Sequence, residues 1–259
     1  GSGGDVNPQY KISLLKELKE GAEHGKFALD EKVADIYQSW CSRKENVPFD
    51  GWWGHWPMNY PEMPLTKDIV DEASKSSDVA IVVIGRAAGE DRENVLEKGS
   101  YYLTEEERNM LDLVTKSFGK VAVVMDCGNL MDMAWTEEYA DKLSAILFVW
   151  QGGMESGHSI VDVLCGDVNP SGKLPDTIAR NYADYPSSDC FGNRDYNEYR
   201  EDIFVGYRYF ETFSKDKVLY PFGFGLSYTQ FDMNLLRFEF DGDEVKCAVK
   251  VKNIGDKAG

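Results

Sequence analysis

Three acids and two arginines crowd into the stretch IGRAAGEDREN, Ile84 to Asn94, directly after the apolar run DVAIVV. Glu90, Asp91 and Glu93 are carboxyl groups, and acid–base chemistry needs a carboxyl group tuned by burial or by neighbouring charge. Arg86 and Arg92 can hold such a loop or steer a neighbouring acid. An ordinary polar loop carries charge as well. Spacing alone does not say which carboxylate is tuned, although Glu90, just after Gly89, is placed where a strand would end.

The other chemistry-bearing residues are sparse. His24, His55 and His158 are far apart, which suits hydrogen-bonded structural histidines better than a metal site. No G-x-S-x-G elbow accompanies them, so a Ser-His-Asp hydrolase has no nucleophile motif. QGGMESG, Gln151 to Gly157, resembles a phosphate-cradling turn before a helix. Its glycines miss the G-x-G-x-x-G spacing, and no G-K-[ST] follows any glycine loop. A tight structural turn is the expectation there. Asp126 ends an apolar run as a phospho-acceptor aspartate would, but lacks an acidic pair at the first strand end. Trp52, Trp53, Trp56 and Tyr60 form an aromatic cluster suited to a packed interface or to sugar stacking.

These residues fall at the ends of three similar runs. DVAIVVIG, KVAVVMDCG and SAILFVWQGG are short and apolar, and each ends at glycine. Such runs fit parallel strands covered on both faces. Helical patterns separate them. Thr104 and Glu107 have capping-box spacing ahead of Met110, Leu111 and Val114, TEEYADKL begins at Thr136, and SGHSIVDVLCG follows Glu155. Two earlier helices are expected around Ile12–Glu20 and Glu31–Trp40. The alternation predicts an α/β fold, an open and mostly parallel sheet flanked by helices. In such sheets ligands bind beyond the carboxyl ends of the strands, which directs attention to Gly85–Asn94, Asp126–Asn129 and Gln151–Gly157.

From Asp167 to about Gln230 loops dominate. The alternating segment that follows, centred on Asp241-Gly242-Asp243, predicts a β-hairpin that opens an antiparallel β-sandwich domain. The expected division is an α/β domain over residues 1–228 and a truncated β domain over residues 229–259.

The net charge of −17 argues against a nucleic-acid partner, since phosphate binding draws on Lys and Arg. No run reaches transmembrane length, so no membrane partner is expected. Five scattered cysteines without a C-x-x-C pair suggest neither zinc nor redox chemistry. They give a slight preference for a reducing, cytoplasmic setting. Cys127 and Cys165 are expected to be buried. Both chain ends are expected to be cut.

Four motifs, GEDRENVLEKGSYYLTEEE, GDVNPSGKLPDTIA, VGYRYFETF and VLYPFGFGLSYTQF, lie in order between Gly89 and Phe231. Through them the chain resembles the second, α/β-sandwich domain of glycoside hydrolase family 3, the β-glucosidase and β-xylosidase family. The segment from Phe231 resembles the start of that family's fibronectin-type-III-like domain. The resemblance implies a retaining β-glycosidase acting on a β-linked glucoside or oligosaccharide. It maps the general acid/base onto Glu90, because Gly89-Glu90 precedes Tyr102-Leu103-Thr104 at the family's spacing. Asp91, Arg92 and Glu93 become supporting residues, with Glu93 the fallback acid.

The family's nucleophile is an aspartate in a separate (β/α)8 barrel, in a motif like Ser-Asp-Trp. That motif is absent here. Retaining hydrolysis needs two carboxyl groups about 5–5.5 Å apart, so the barrel is an expected partner and the chain alone is expected to be inactive. No metal or organic cofactor is implied, and the oligomeric state, the sugar and the domain order stay open. Two other readings remain: a non-catalytic carbohydrate-binding or interaction domain using the aromatic cluster, and a flavodoxin-like ligand-binding domain.

Overall fold

The computed structural model describes residues 8–47, 56–88 and 93–259. Gly89 to Arg92 therefore lie outside the described residues, as do His55, Trp52 and Trp53.

The N-terminal region is helical. Helix α1, Leu14–Glu23, starts at Ser13, whose side chain accepts from the Lys16 N–H. Helix α2, Glu31–Cys41, starts at Asp30, which caps Val33 in the same way. Such caps satisfy backbone donors that the first helical turn leaves over. Helix α3, Lys67–Ser76, leads into strand β1, Ala80–Arg86. Helix α4, Glu105–Ser117, opens with a full capping box between Thr104 and Glu107. Strand β2 is Val121–Cys127, helix α5 Trp135–Glu138, strand β3 Ala145–Phe148 and helix α6 Ser156–Cys165.

The strands form a parallel sheet in the order β1-β2-β3. Its register runs from Ala80 opposite Val121 to Arg86 opposite Cys127, and from Ala122 opposite Ala145 to Met125 opposite Phe148. All three carboxyl ends therefore point the same way. The core gathers Val82, Ile84, Leu111, Val123, Met125 and Trp135 between the sheet and its helices.

Three expectations need correction. Cover on both faces holds for the central strand β2, whereas β1 leaves Ile81 and Val83 exposed on a face that no described element covers. TEEYADKL gives only the single turn α5. Tyr139 then turns inward, its hydroxyl donating to Asp112 Oδ1 at 2.8 Å, and the N–H groups of Lys142 and Leu143 both donate to its carbonyl to reverse the chain. Cys127 is buried as expected, but Cys165 is exposed. The buried face of α6 is Gly157, Ile160 and Val161, and Cys165 is the last helical residue before the left-handed cap at Gly166, where that cover has ended.

Beyond α6, strand β4 (Ile178–Ala179), helix α7 (Tyr207–Phe213) and strand β5 (Val218–Tyr220) punctuate the loops, with β4 and β5 antiparallel. Two of the four motifs are stitched together here. Asn169 Oδ1 accepts from the Tyr228 N–H at 2.7 Å, and Leu174 and the Gly223–Phe224 turn exchange two 2.8 Å backbone hydrogen bonds. GDVNPSGKLP and YPFGFGLSY thus act as a structural pair. Strands β6, Phe231–Asp241, and β7, Glu244–Asn253, form the expected hairpin. Gly242 takes φ 62° at the first of the two connecting positions, where a side chain would be strained.

Candidate functional site

At the end of β1 the chain must turn away from the sheet, and Arg86 determines how. Its side chain is buried, and every donor of the guanidinium is used. Nη1 donates to Glu107 Oε1 at 2.6 Å and to the Gly85 carbonyl at 2.7 Å. Nη2 donates to Glu107 Oε2 at 2.7 Å and to the Tyr102 carbonyl at 3.2 Å, and Nε to the Ser100 carbonyl at 3.0 Å. Glu107 also accepts from the Thr104 N–H at 2.8 Å. One carboxylate thus caps α4 and neutralises Arg86, a bidentate arrangement suited to the guanidinium fork. Arg86 thus ties the end of β1 to the Ser100–Tyr102 segment and to the start of α4.

The described residues on both sides of Gly89–Arg92 are anchored. On the incoming side Ala88 is buried, the Ala87 N–H donates to the Met58 carbonyl at 2.6 Å, and the Arg86 carbonyl accepts from Gly128 at 3.1 Å. On the outgoing side Glu93 is exposed, the Asn94 side chain donates to the Leu130 carbonyl, and the Val95 N–H donates to Ser100 Oγ at 3.0 Å. Gly99, at φ 82°, closes this turn against Asn59, whose Oδ1 would lie 2.5 Å from any added Cβ. Of the candidate site residues, Glu93 is the one within the described residues. Glu90, Asp91 and Arg92 fall outside them.

The second and third exits press on the first. A Cβ at Gly128 would collide with Ala88 and come within 2.6 Å of Gln151 Nε2, so all three exits converge on one backbone position that tolerates only glycine. Trp150, the residue before Gln151, holds φ 50°, and its ring lies 5.3 Å from that of Phe148. A bulky residue in this conformation is strained by about 1–3 kcal/mol and persists only where its surroundings impose it. QGGMESG forms a turn. The Gly157 N–H at its end is taken by the Ile12 carbonyl at 3.0 Å, as befits a structural role.

Two aspartates near these exits carry perturbed carboxyl groups. Burial raises Asp132 above the ordinary aspartate range, offset in part by the Ala134 N–H it accepts at 3.2 Å. Desolvation also raises Asp126, even though its surface remains open, because the surrounding strand ends crowd it. The sequence offers Asp126 only as a phospho-acceptor at a strand exit, and carries no signal at Asp132. Asp132 lies in an apolar stretch between two methionines, and only the fold shows that it is half-buried. Glu107 was legible solely as a helix cap, its Arg86 partner being 21 residues away.

The described residues on either side of Gly89–Arg92 are tied by hydrogen bonds to the neighbouring strand exits. The comparisons with known proteins agree with this architecture. The family model for the glycosyl hydrolase family 3 C-terminal domain matches residues 1–228. A β-glucosidase of Ruminococcus albus is 44% identical over 259 residues, all of this chain and 26% of its own length. Beta-glucosidase A of Butyrivibrio fibrisolvens is 37% identical, over 89% of the chain and 30% of its own length. Among solved structures, a β-glucosidase from Paenibacillus barengoltzii superposes with TM-score 0.91 at 46% identity, covering 99% of this chain and 28% of that one. β-Glucosidase 3B from Thermotoga neapolitana, in complex with α-D-glucose, gives 0.84 at 34% identity, covering 100% and 36%. The chain thus spans about a quarter to a third of the relatives it matches, and it belongs to glycosyl hydrolase family 3 through that family's C-terminal domain.

Proposed function

We propose that this chain is the acid/base half of a retaining β-glucosidase. Glu90 protonates the glycosidic oxygen as the bond to the sugar breaks. It then takes a proton from the water that releases the sugar from an aspartate on a separate barrel domain. Asp91, Arg92 and Glu93 support it. The observation that carries this reading is the similarity, over all 259 residues of this chain, to a protein named β-glucosidase, of which this chain covers 26%. That leaves ample length for a domain holding the second carboxylate.

The anchored loop ends support the same reading. An acid/base must meet the glycosidic oxygen within hydrogen-bond reach. Between the described anchors Ala88 and Asn94 lie five residues, so few residues have to be ordered to position the acid. On this reading residues 1–228 form the α/β domain, and residues 229–259 begin a fibronectin-type-III-like domain. The substrate is a β-linked glucoside.

Assay of an aryl β-glucoside tests the division of labour. The chain alone should give no turnover above buffer, and joining it to the family's barrel domain should restore hydrolysis. Appreciable turnover by the chain alone would overturn the proposal.

A further inference from the structure

Far from Glu90 in sequence, helices α1 and α6 are pinned together at their N-terminal ends. The Ile12 N–H donates to the Met154 carbonyl at 2.9 Å, and the Ile12 carbonyl accepts from Gly157 at 3.0 Å. Gly157 permits this approach, because a Cβ there would lie 2.5 Å from the Ser13 carbonyl oxygen. The consequence is that His158, one residue further on, faces the first turns of α1. There Glu17 and Glu20 stand three residues apart, on one helix face.

Glu17 occupies a packed position. It is 8% exposed, and its Oε2 is sealed from solvent without accepting a hydrogen bond. That oxygen lies 2.8 Å from His158 Nε2. A carboxylate buried in this way is costly unless a cation or an aligned donor meets it; a protonated His158 is one such cation, and a bound metal ion is another. The candidate ligand atoms of Glu17, Glu20 and His158 all lie within 4.8 Å of one another. The other ring nitrogen, Nδ1, is held by Glu155 Oε2 at 2.5 Å, and Glu155 in turn accepts from the Tyr10 hydroxyl. Metal-binding histidines have this outer arrangement: a carboxylate on the far nitrogen fixes the ring and raises its basicity.

We propose that Glu17, Glu20 and His158 form a binding site for a divalent transition-metal ion of the zinc type. One imidazole with two carboxylates is a borderline-to-hard donor set that suits Zn2+. Ligand distances of about 2.0–2.2 Å place the donor atoms of one ion roughly 3–3.5 Å apart. Small side-chain rotations close the present cluster to that size. Binding leaves Nε2 free of its proton, which passes to solvent. The ion would cross-link α1 to α6 and neutralise the buried carboxylate. The three residues are separated by up to 141 positions, which is why scattered histidines gave no hint of a site in the sequence.

The test is calorimetric titration of the full 259-residue chain with Zn2+ at neutral pH. The expected result is saturable binding of one equivalent, lost in His158→Ala and weakened at least tenfold, by order of magnitude, in Glu20→Gln. The half-exposed Glu20 carries the test should His158→Ala fail to fold. Glu155→Gln should weaken binding about 10–100-fold, the usual effect of losing an outer carboxylate. Co2+ substituted for Zn2+ should show no thiolate-to-metal charge transfer. Replacing Cys41, Cys165, Cys190 and Cys247 with serine should leave binding intact. The proposal is overturned if no single-equivalent binding occurs, if Glu20→Gln binds as well as the parent chain, or if the serine variant loses the metal.

Discussion

Arg86 and Glu107 form a fully buried, two-pronged ion pair, 2.6 and 2.7 Å across its two arms, that ties the end of β1 to the start of α4. The guanidinium closes over three further carbonyls, and the carboxylate completes the cap of the helix. The end of β1 is thereby locked from behind by two buried side chains.

Removing one partner of this pair should be severe. Glu107→Ala leaves a buried guanidinium uncompensated and uncaps α4, and a loss of about 3–5 kcal/mol is expected. Urea denaturation of the single variants, set against Arg86→Met/Glu107→Leu, checks this. The double variant should be less destabilised than either single one, because it leaves no unpaired charge behind.

Gly128→Ala should disturb the convergence of the three strand exits. The added methyl meets Ala88 and Gln151, and overpacking of this kind costs about 1–3 kcal/mol. A lowered melting temperature is expected in the chain. In the enzyme completed by a barrel, kcat should fall as well, since Ala88 is the residue before the acidic loop.

Asp132 gives a pH signature. Its folded pKa is raised by burial above its unfolded value. The folded state therefore holds the proton over a pH range in which the unfolded state has released it. Stability from this group is full below the unfolded pKa and is lost as pH rises through the folded pKa. Asp132→Asn should therefore raise the melting temperature at neutral pH and have no such benefit in acid. Thermal melts at both pH values decide the matter, and a variant less stable than the parent at neutral pH would contradict it.

The parallel sheet was legible because strands that are apolar throughout and helices with caps such as Thr104/Glu107 carry local signals. The hairpin was legible from its alternation and Gly242. The one-sided exposure of β1 was not, since Ile81 and Val83 look the same in sequence whether or not something covers them. The candidate acid was visible as a charged strand exit and gained its role from flanking motifs. Its support was largely invisible. Arg86–Glu107, Asn94–Leu130 and Gly128–Gln151 are contacts between segments 21 to 36 residues apart, and no local pattern encodes such pairings. The Glu17–His158 contact, across 141 residues, shows the same limit more sharply.

The central claim is that Glu90 is the acid/base, and Glu90→Ala in the barrel-completed enzyme tests it most directly. Turnover of a β-glucoside with a poor leaving group should fall about 10²–10⁴-fold, the usual worth of positioned proton transfer. Added azide should restore deglycosylation of activated substrates by replacing the water that needs a base. Glu93→Ala should show neither effect to a comparable degree. Near-normal hydrolysis of the poor-leaving-group substrate by Glu90→Ala, with no response to azide, would contradict the assignment and move the role to Glu93 or another carboxylate.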